Sequence, residues 1–177
     1  MIQKIKNGEN MKNIILSLIL AFTFIGCSSK SDENKNVEAK LVAGKSLADF
    51  KVNDQNEKPQ TISPDTKVVF FSFSKKVGHL CNEFLEKQPA NFLKENKAVY
   101  VADVSPAPSL IKKMFILPDL KELKFPILLI NDDTLSAEYS KGMDKENIVV
   151  VTLDNYTIVK IETLKDAPSL EKFFTTK

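Results

Sequence analysis

Residues 68–73, Val-Val-Phe-Phe-Ser-Phe, constrain the chain more than any other stretch. Six residues carry a single hydroxyl and no charge. A half-buried strand would alternate polar and apolar side chains, whereas a continuous apolar run of this length predicts a central strand covered on both faces. Such a strand needs helices above and below it, which excludes a one-sided sheet. Downstream, the segment Lys75–Leu85 reads as a short polar turn followed by the start of a helix. The turn holds His79, the chain's only histidine, and Cys81.

The remaining segments supply the layers. Leu47–Val52 reads as a short strand, residues 54–58 as a turn and Thr61-Ile62 as the returning strand. Beyond Cys81, the positions of Phe84, Leu85, Phe92 and Leu93 suit the inner face of a helical segment, which Pro89 breaks or kinks. Ala98–Asp103 is a second buried-type strand. Residues 105–109 form a loop, with Ser109 as N-cap of a helix over Leu110–Leu117 that Pro118 ends. The apolar run Phe125–Ile130 precedes the turn Asn131-Asp132-Asp133. Leu135–Lys141 reads as a short helix with Gly142 just past its end. Ile148–Leu153 and Thr157–Leu164 are strands joined by the Asp154-Asn155-Tyr156 hairpin. Ser169–Phe174 closes the chain as a helix with Leu170, Phe173 and Phe174 facing inward. The order predicts an α/β domain with a central mixed sheet flanked by helices.

The N-terminus has a different character. Met11-Lys12-Asn13 and the apolar run from Ile14 have the length and polarity of a signal peptide, too short for a first reading as a membrane span. The run ends Phe24-Ile25-Gly26-Cys27, which resembles a bacterial lipobox. That resemblance implies cleavage before Cys27, lipid on Cys27, and a position in the cell envelope facing the periplasm, with the outer membrane favoured. Met11 is the natural start, and residues 1–10 read as an over-extension. Residues 27–40 read as a polar tether, and 41–177 as the folded domain.

Charge and cysteine content narrow the function. Net charge is +2 from 25 basic and 23 acidic residues. Lys4, Lys6 and Lys12 against Glu9 account for this, leaving 22 residues of each sign after position 26. A neutral domain has no electrostatic footprint for nucleic acid. Every basic residue is lysine, so bidentate guanidinium recognition of phosphate or carboxylate is not available. Once Cys27 is lipidated, Cys81 is left without a partner for a disulfide within the chain.

The domain resembles the thioredoxin-like superfamily, nearest its peroxiredoxin/redoxin branch, on four segments. Leu47–Ile62 is similar to that branch's N-terminal hairpin. Lys67–Phe73 resembles the strand before the active-site turn. Phe125–Gly142 resembles its phenylalanine-proline, strand and helix segment, and Asn147–Leu164 its terminal hairpin. The resemblance implies a thioredoxin-like fold over residues 41–174, with an N-terminal hairpin on the sheet. In the thioredoxin register, the Cys-x-x-Cys positions are Val77-Gly78-His79-Leu80, which removes the dithiol cycle. In the peroxiredoxin register, Cys81 takes the place of the reactive cysteine in the first helical turn. There, unpaired N–H groups and the nearby Lys75, Lys76 and His79 would favour thiolate. The branch's loop proline and hydroxyl residue are replaced by Ser74 and Gly78, and its arginine has no counterpart.

Two readings of Cys81 follow. One is a small, partly buried apolar residue on a helix's inner face; the other is a redox thiol. His79 reads either as a polar turn residue or as an auxiliary to that thiol. The first function these readings support is a non-catalytic, envelope-anchored lipoprotein that binds or assembles with an envelope partner. The second is a one-cysteine peroxidase or thiol-redox enzyme using Cys81. A third, copper delivery, has only His79 and Cys81 as ligands where relatives of the fold use two cysteines and a histidine. No cofactor or resident metal is expected.

Overall fold

The computed structural model describes residues 37–176, so Cys27 and the signal-like segment lie outside the described residues. Seven strands form one mixed sheet in the order β2-β1-β5-β4-β3-β6-β7. They are β1 (Lys51–Asp54), β2 (Pro59–Thr61), β3 (Val68–Ser72), β4 (Ala98–Asp103), β5 (Leu128–Ile130), β6 (Ile148–Asp154) and β7 (Thr157–Leu164). β3, β4 and β5 run parallel, while β6 and β7 continue the sheet antiparallel on one side and β1 and β2 on the other.

β3 lies near the middle, between β4 and β6, and all five of its residues are buried. Its pleat divides them between two cores. Val68 and Phe70 pack under helices α1 (Lys75–Glu86) and α6 (Ala167–Thr175). Val69 and Phe71 face the opposite layer, with Phe50 and with Tyr139 of α5 (Asp133–Ser140). Each fully buried Val or Phe contributes about 1.5–3 kcal/mol relative to exposure, so β3 anchors both layers. Aromatic rings reinforce this: Phe70 stacks on Tyr100 with centroids 5.0 Å apart, and Phe50 meets Tyr139 edge-on at 4.9 Å.

The N-terminal hairpin is present, but displaced. Leu47 and Phe50 were expected in a strand. Instead they flank a turn closed by Phe50 N–H donating to Leu47 C=O at 3.1 Å, and both side chains are core. Pairing starts only at Lys51, opposite Thr61. Asp54 and Gln55 then tie the hairpin down. Asp54 accepts from Asn56 N–H (2.8 Å), Lys58 N–H (3.0 Å) and Gln60 Nε2 (2.9 Å). The buried Gln55 amide extends the ladder with its side chain, donating to Phe125 C=O and accepting from Ile127 N–H, both at 2.8 Å. Residues just before Leu41 are also tied to the domain. Lys40 N–H donates to Glu138 C=O at 3.0 Å, and Lys141 Nζ donates to Val37 C=O at 2.5 Å.

Other elements follow their local chemistry. Asp132 caps α5, accepting from Leu135 N–H at 2.8 Å, and Gly142 follows with φ +77°. Asn155 and Tyr156, both at positive φ, form the tight β6–β7 turn. α2 is a single turn, Phe92–Glu95, beyond Pro89.

One helix departs from expectation. Ser109 was read as a cap and Pro118 as a terminator. Helical structure instead starts at Ser109, after Pro108, and continues to Lys121: α3 (Ser109–Ile111), a π segment (Lys112–Ile116) and α4 (Leu117–Lys121). In an α-helix the proline ring would clash with the carbonyl four residues back, that of Met114. The widened π turn, in which Leu117 N–H reaches Lys112 C=O, makes room, so the chain passes through Pro118 without stopping.

Candidate functional site

The stretch read as a polar turn is helical from its first residue. Ser74 is the N-cap of α1, in extended backbone, with its hydroxyl accepting from Val77 N–H at 3.5 Å. Gly78 N–H already reaches Ser74 C=O at 2.9 Å. Val77, Cys81, Phe84 and Leu85 repeat at four, three and one residues, and all four are buried, forming the apolar stripe of α1.

This register corrects the peroxiredoxin-like placement. Cys81 lies in the second turn, not the first, beyond the unpaired N–H groups that would favour a thiolate. Its side chain is 0% exposed within the core. Burial pushes the thiol up to about 12, and a hydrogen bond from the Tyr100 side chain opposes this only in part. Lys75 and Lys76 are solvent-exposed. His79, also exposed, is two residues from Cys81, a spacing that puts the two side chains on different faces of the helix. The structure therefore separates the two residues that the sequence brings together. Cys81 is the only free cysteine among the described residues. Those residues also contain no group of three or more His, Cys, Asp or Glu side chains placed to hold a metal.

The face of α1 away from the core borders a cleft of about 970 Å³. It opens over the C-terminal ends of β3 and β4, between α1 and the helical stretch 109–121. Ser72, Tyr100 and Ala102 lie at the strand side; His79 and Asn82 come from α1, and Phe115 from the π segment. Ser72 and Tyr100 join their hydroxyls at 3.0 Å, and Tyr100 donates on to Gly78 C=O at 3.5 Å. The Asn82 amide oxygen is buried with no hydrogen-bond partner. An unpaired buried acceptor of this kind costs about 1–3 kcal/mol. The helical stretch exposes large apolar side chains: Leu110 at 66%, Met114 at 58% and, lining the cleft, Phe115 at 56%. Exposed apolar residues grouped in this way mark interaction surfaces more often than scattered ones do.

Of the residues of this cleft, the sequence singled out His79, with Ser74, Lys75 and Gly78 of the same turn. Asn82, Tyr100 and the π segment were missed. The repeat Val77, Cys81, Phe84, Leu85 was a readable signal that α1 begins before His79. Asn82, one position past Cys81, then falls off the buried stripe.

No family model matches the sequence, and no curated protein sequence matches it. Solved structures do match. A candidate protein disulfide isomerase of Bacteroides thetaiotaomicron is 18% identical with a TM-score of 0.52, covering 79% of this chain and 90% of its own. A candidate thioredoxin of Neisseria meningitidis is 17% identical with a TM-score of 0.52, covering 74% and 89%. A cysteine-to-serine variant of peroxiredoxin Q from Xanthomonas campestris is 11% identical with a TM-score of 0.51, covering 73% and 90%. The chain has a thioredoxin-like fold. Its structural neighbours include both thiol-disulfide and peroxiredoxin-type proteins, as the resemblance of its four segments implied.

Proposed function

We propose that this protein is a thioredoxin-fold lipoprotein of the bacterial envelope that binds or assembles with a partner and performs no thiol chemistry of its own. One observation carries this reading: Cys81 is wholly buried, and that burial pushes its thiol away from the thiolate form. A peroxide must meet a thiolate in line, and a disulfide must meet a reachable sulfur. Meanwhile the face of α1 that borders solvent faces an open cleft, a feature of a binding module. The lipobox-like Phe24–Cys27 supports anchorage through lipid on Cys27, with the domain facing the periplasm from the outer membrane.

Treating the folded protein with low peroxide and a dimedone-type probe tests the non-catalytic role. No adduct at Cys81, together with an intact cellular phenotype for Cys81→Ser, is the expected result. A stoichiometric adduct would reinstate the one-cysteine peroxidase. Labelled palmitate should enter the wild-type chain and not Cys27→Ala; equal labelling of the two would remove the anchor.

A further inference from the structure

We propose that the cleft between α1 and residues 109–121 binds a small amphiphilic cation, an ammonium group carried on an apolar body; this rests on the reading of the domain as a binding module. The apolar body is called for by the walls. Val104, Ile111, Phe115, Ile116, Leu120 and Leu123 border the cleft, whose volume of about 970 Å³ matches sites for ligands of ordinary drug size.

The charge follows from the rim. Glu83, Glu86, Asp103 and Asp119 line the cleft against one lysine, Lys75. Asp103 is already engaged, accepting from Ser105 N–H at 3.0 Å and Ser136 Oγ at 2.5 Å. The side-chain carboxylates of Glu83, Glu86 and Asp119 have no hydrogen-bond or ion-pair partner among the described residues. Lys124 is nearby but donates to Glu86 C=O at 2.7 Å, leaving the carboxylate free. A cation entering the cleft thus meets four carboxylates against one lysine beside an apolar wall, and three of those carboxylates have no partner of their own.

The need for a donor follows from Asn82. Its amide oxygen is buried and unpartnered, next in sequence to Glu83 and one helical turn before Glu86. Asn82 borders the cleft and its terminal amide torsion is soft, so rotation about that torsion turns the oxygen toward a bound donor. An ammonium supplies three N–H donors and no acceptor, so it satisfies this oxygen and the carboxylates together. An anionic or neutral apolar ligand would leave both uncompensated.

Amide-resolved NMR of the folded domain, titrated with phenylbutylamine, phenylbutanol and phenylbutyrate, tests the assignment. Phenylbutylamine should shift Gly78, Asn82 and Phe115 saturably and bind ~10-fold more tightly than the alcohol, as an added charged hydrogen bond implies. Asn82→Leu should weaken amine binding several-fold, and Asp119→Asn, a surface change that leaves packing intact, should narrow the preference for the amine over the alcohol. Equal binding of the three probes, or amine binding unchanged in both variants, overturns the proposal. So does absence of saturable shifts, or displacement of the amine by a lysine-containing apolar peptide at lower concentration than the amine itself. These failures leave Cys81 silent and so spare the binding-module reading, whereas a sulfenic adduct at Cys81 strikes that reading and not the ligand class.

Discussion

Tyr100 and Ser72, on neighbouring parallel strands, join hydroxyls 3.0 Å apart directly beneath Gly78 of α1. Tyr100 is 1% exposed and Ser72 2%, so neither hydroxyl can turn to bulk water. Tyr100→Phe should therefore destabilise the domain by about 1–3 kcal/mol, the cost of an orphaned buried hydroxyl at Ser72. Tyr100→Phe with Ser72→Ala should cost less than the sum of the two single changes, because no orphan remains. Urea unfolding of the four proteins measures the cycle; strict additivity would show that the contact carries no coupling.

Cys81 should resist iodoacetamide in folded protein and react only on unfolding. Its raised pKa also sets an alkaline limit. The folded thiol titrates at about 12 against an ordinary value of 9.0. The stabilisation is thus complete below pH 9 and is lost as the pH rises toward 12, because only the unfolded chain releases its proton in that window. Melting temperatures of wild type and Cys81→Ala should converge across that range, with the wild type falling faster. Parallel curves would mean that the thiol is not buried in solution.

Gly78 lies inside a helix at a negative φ, where glycine costs about 0.5–1 kcal/mol relative to alanine. A Cβ there would sit 3.7 Å from Ser72 Oγ and 3.8 Å from Tyr100 Oη, ordinary contact distances. Gly78→Ala should consequently stabilise the protein by about that amount, read as a higher urea midpoint with an unchanged m-value. A lower midpoint would indicate that the space above the hydroxyl pair is tighter than these distances.

Asp54 predicts an acid limit. Burial pushes its carboxyl up, but hydrogen bonds from Lys58, Asn56 and Gln60 outweigh it and hold the group below its ordinary value of 3.8. Its contribution is present above pH 3.8 and is lost as the pH falls through the lower, folded value. Asp54→Ala should cost about 1.5–3 kcal/mol at neutral pH. The gap from wild type should close on acidification, as melting curves collected downward from pH 5 would reveal. A gap independent of pH would assign the cost to packing instead.

The strands were legible wherever burial on both faces wrote a continuous apolar run. β4 spans Ala98–Asp103 as expected, and β3 starts at Val68 as expected. The hairpin β6–β7 was equally plain, because Asn155 tolerates the positive φ that its turn requires. Errors arose where a residue's role depends on a distant partner. Leu47 and Phe50 look like alternate strand positions, but both are drawn into the core from a turn. Lys75, Lys76 and His79 look like a polar loop because they cover the outside of a helix whose inner stripe is read only with Val77. Pro118 looks like a stop until the π turn relieves its clash. The cleft itself was not legible, because its walls are residues 72–86 and 102–123, brought together by the parallel crossover. No local pattern records that encounter.

The order of strands leaves β2 and β7 as the margins of the sheet, and the start of β7 is already covered by residues 44–47, with Ser46 bridged to Thr157. β2 is three residues long and begins with Pro59, which lacks the N–H that an incoming strand would need. β7 is eight residues long and exposes Val159, but Lys160 and Glu162 follow as a charged pair at 2.8 Å. A strand approaching either margin meets a missing donor or a hydrated charge. Copies of the domain meeting edge to edge would therefore resist zipping into shared sheets.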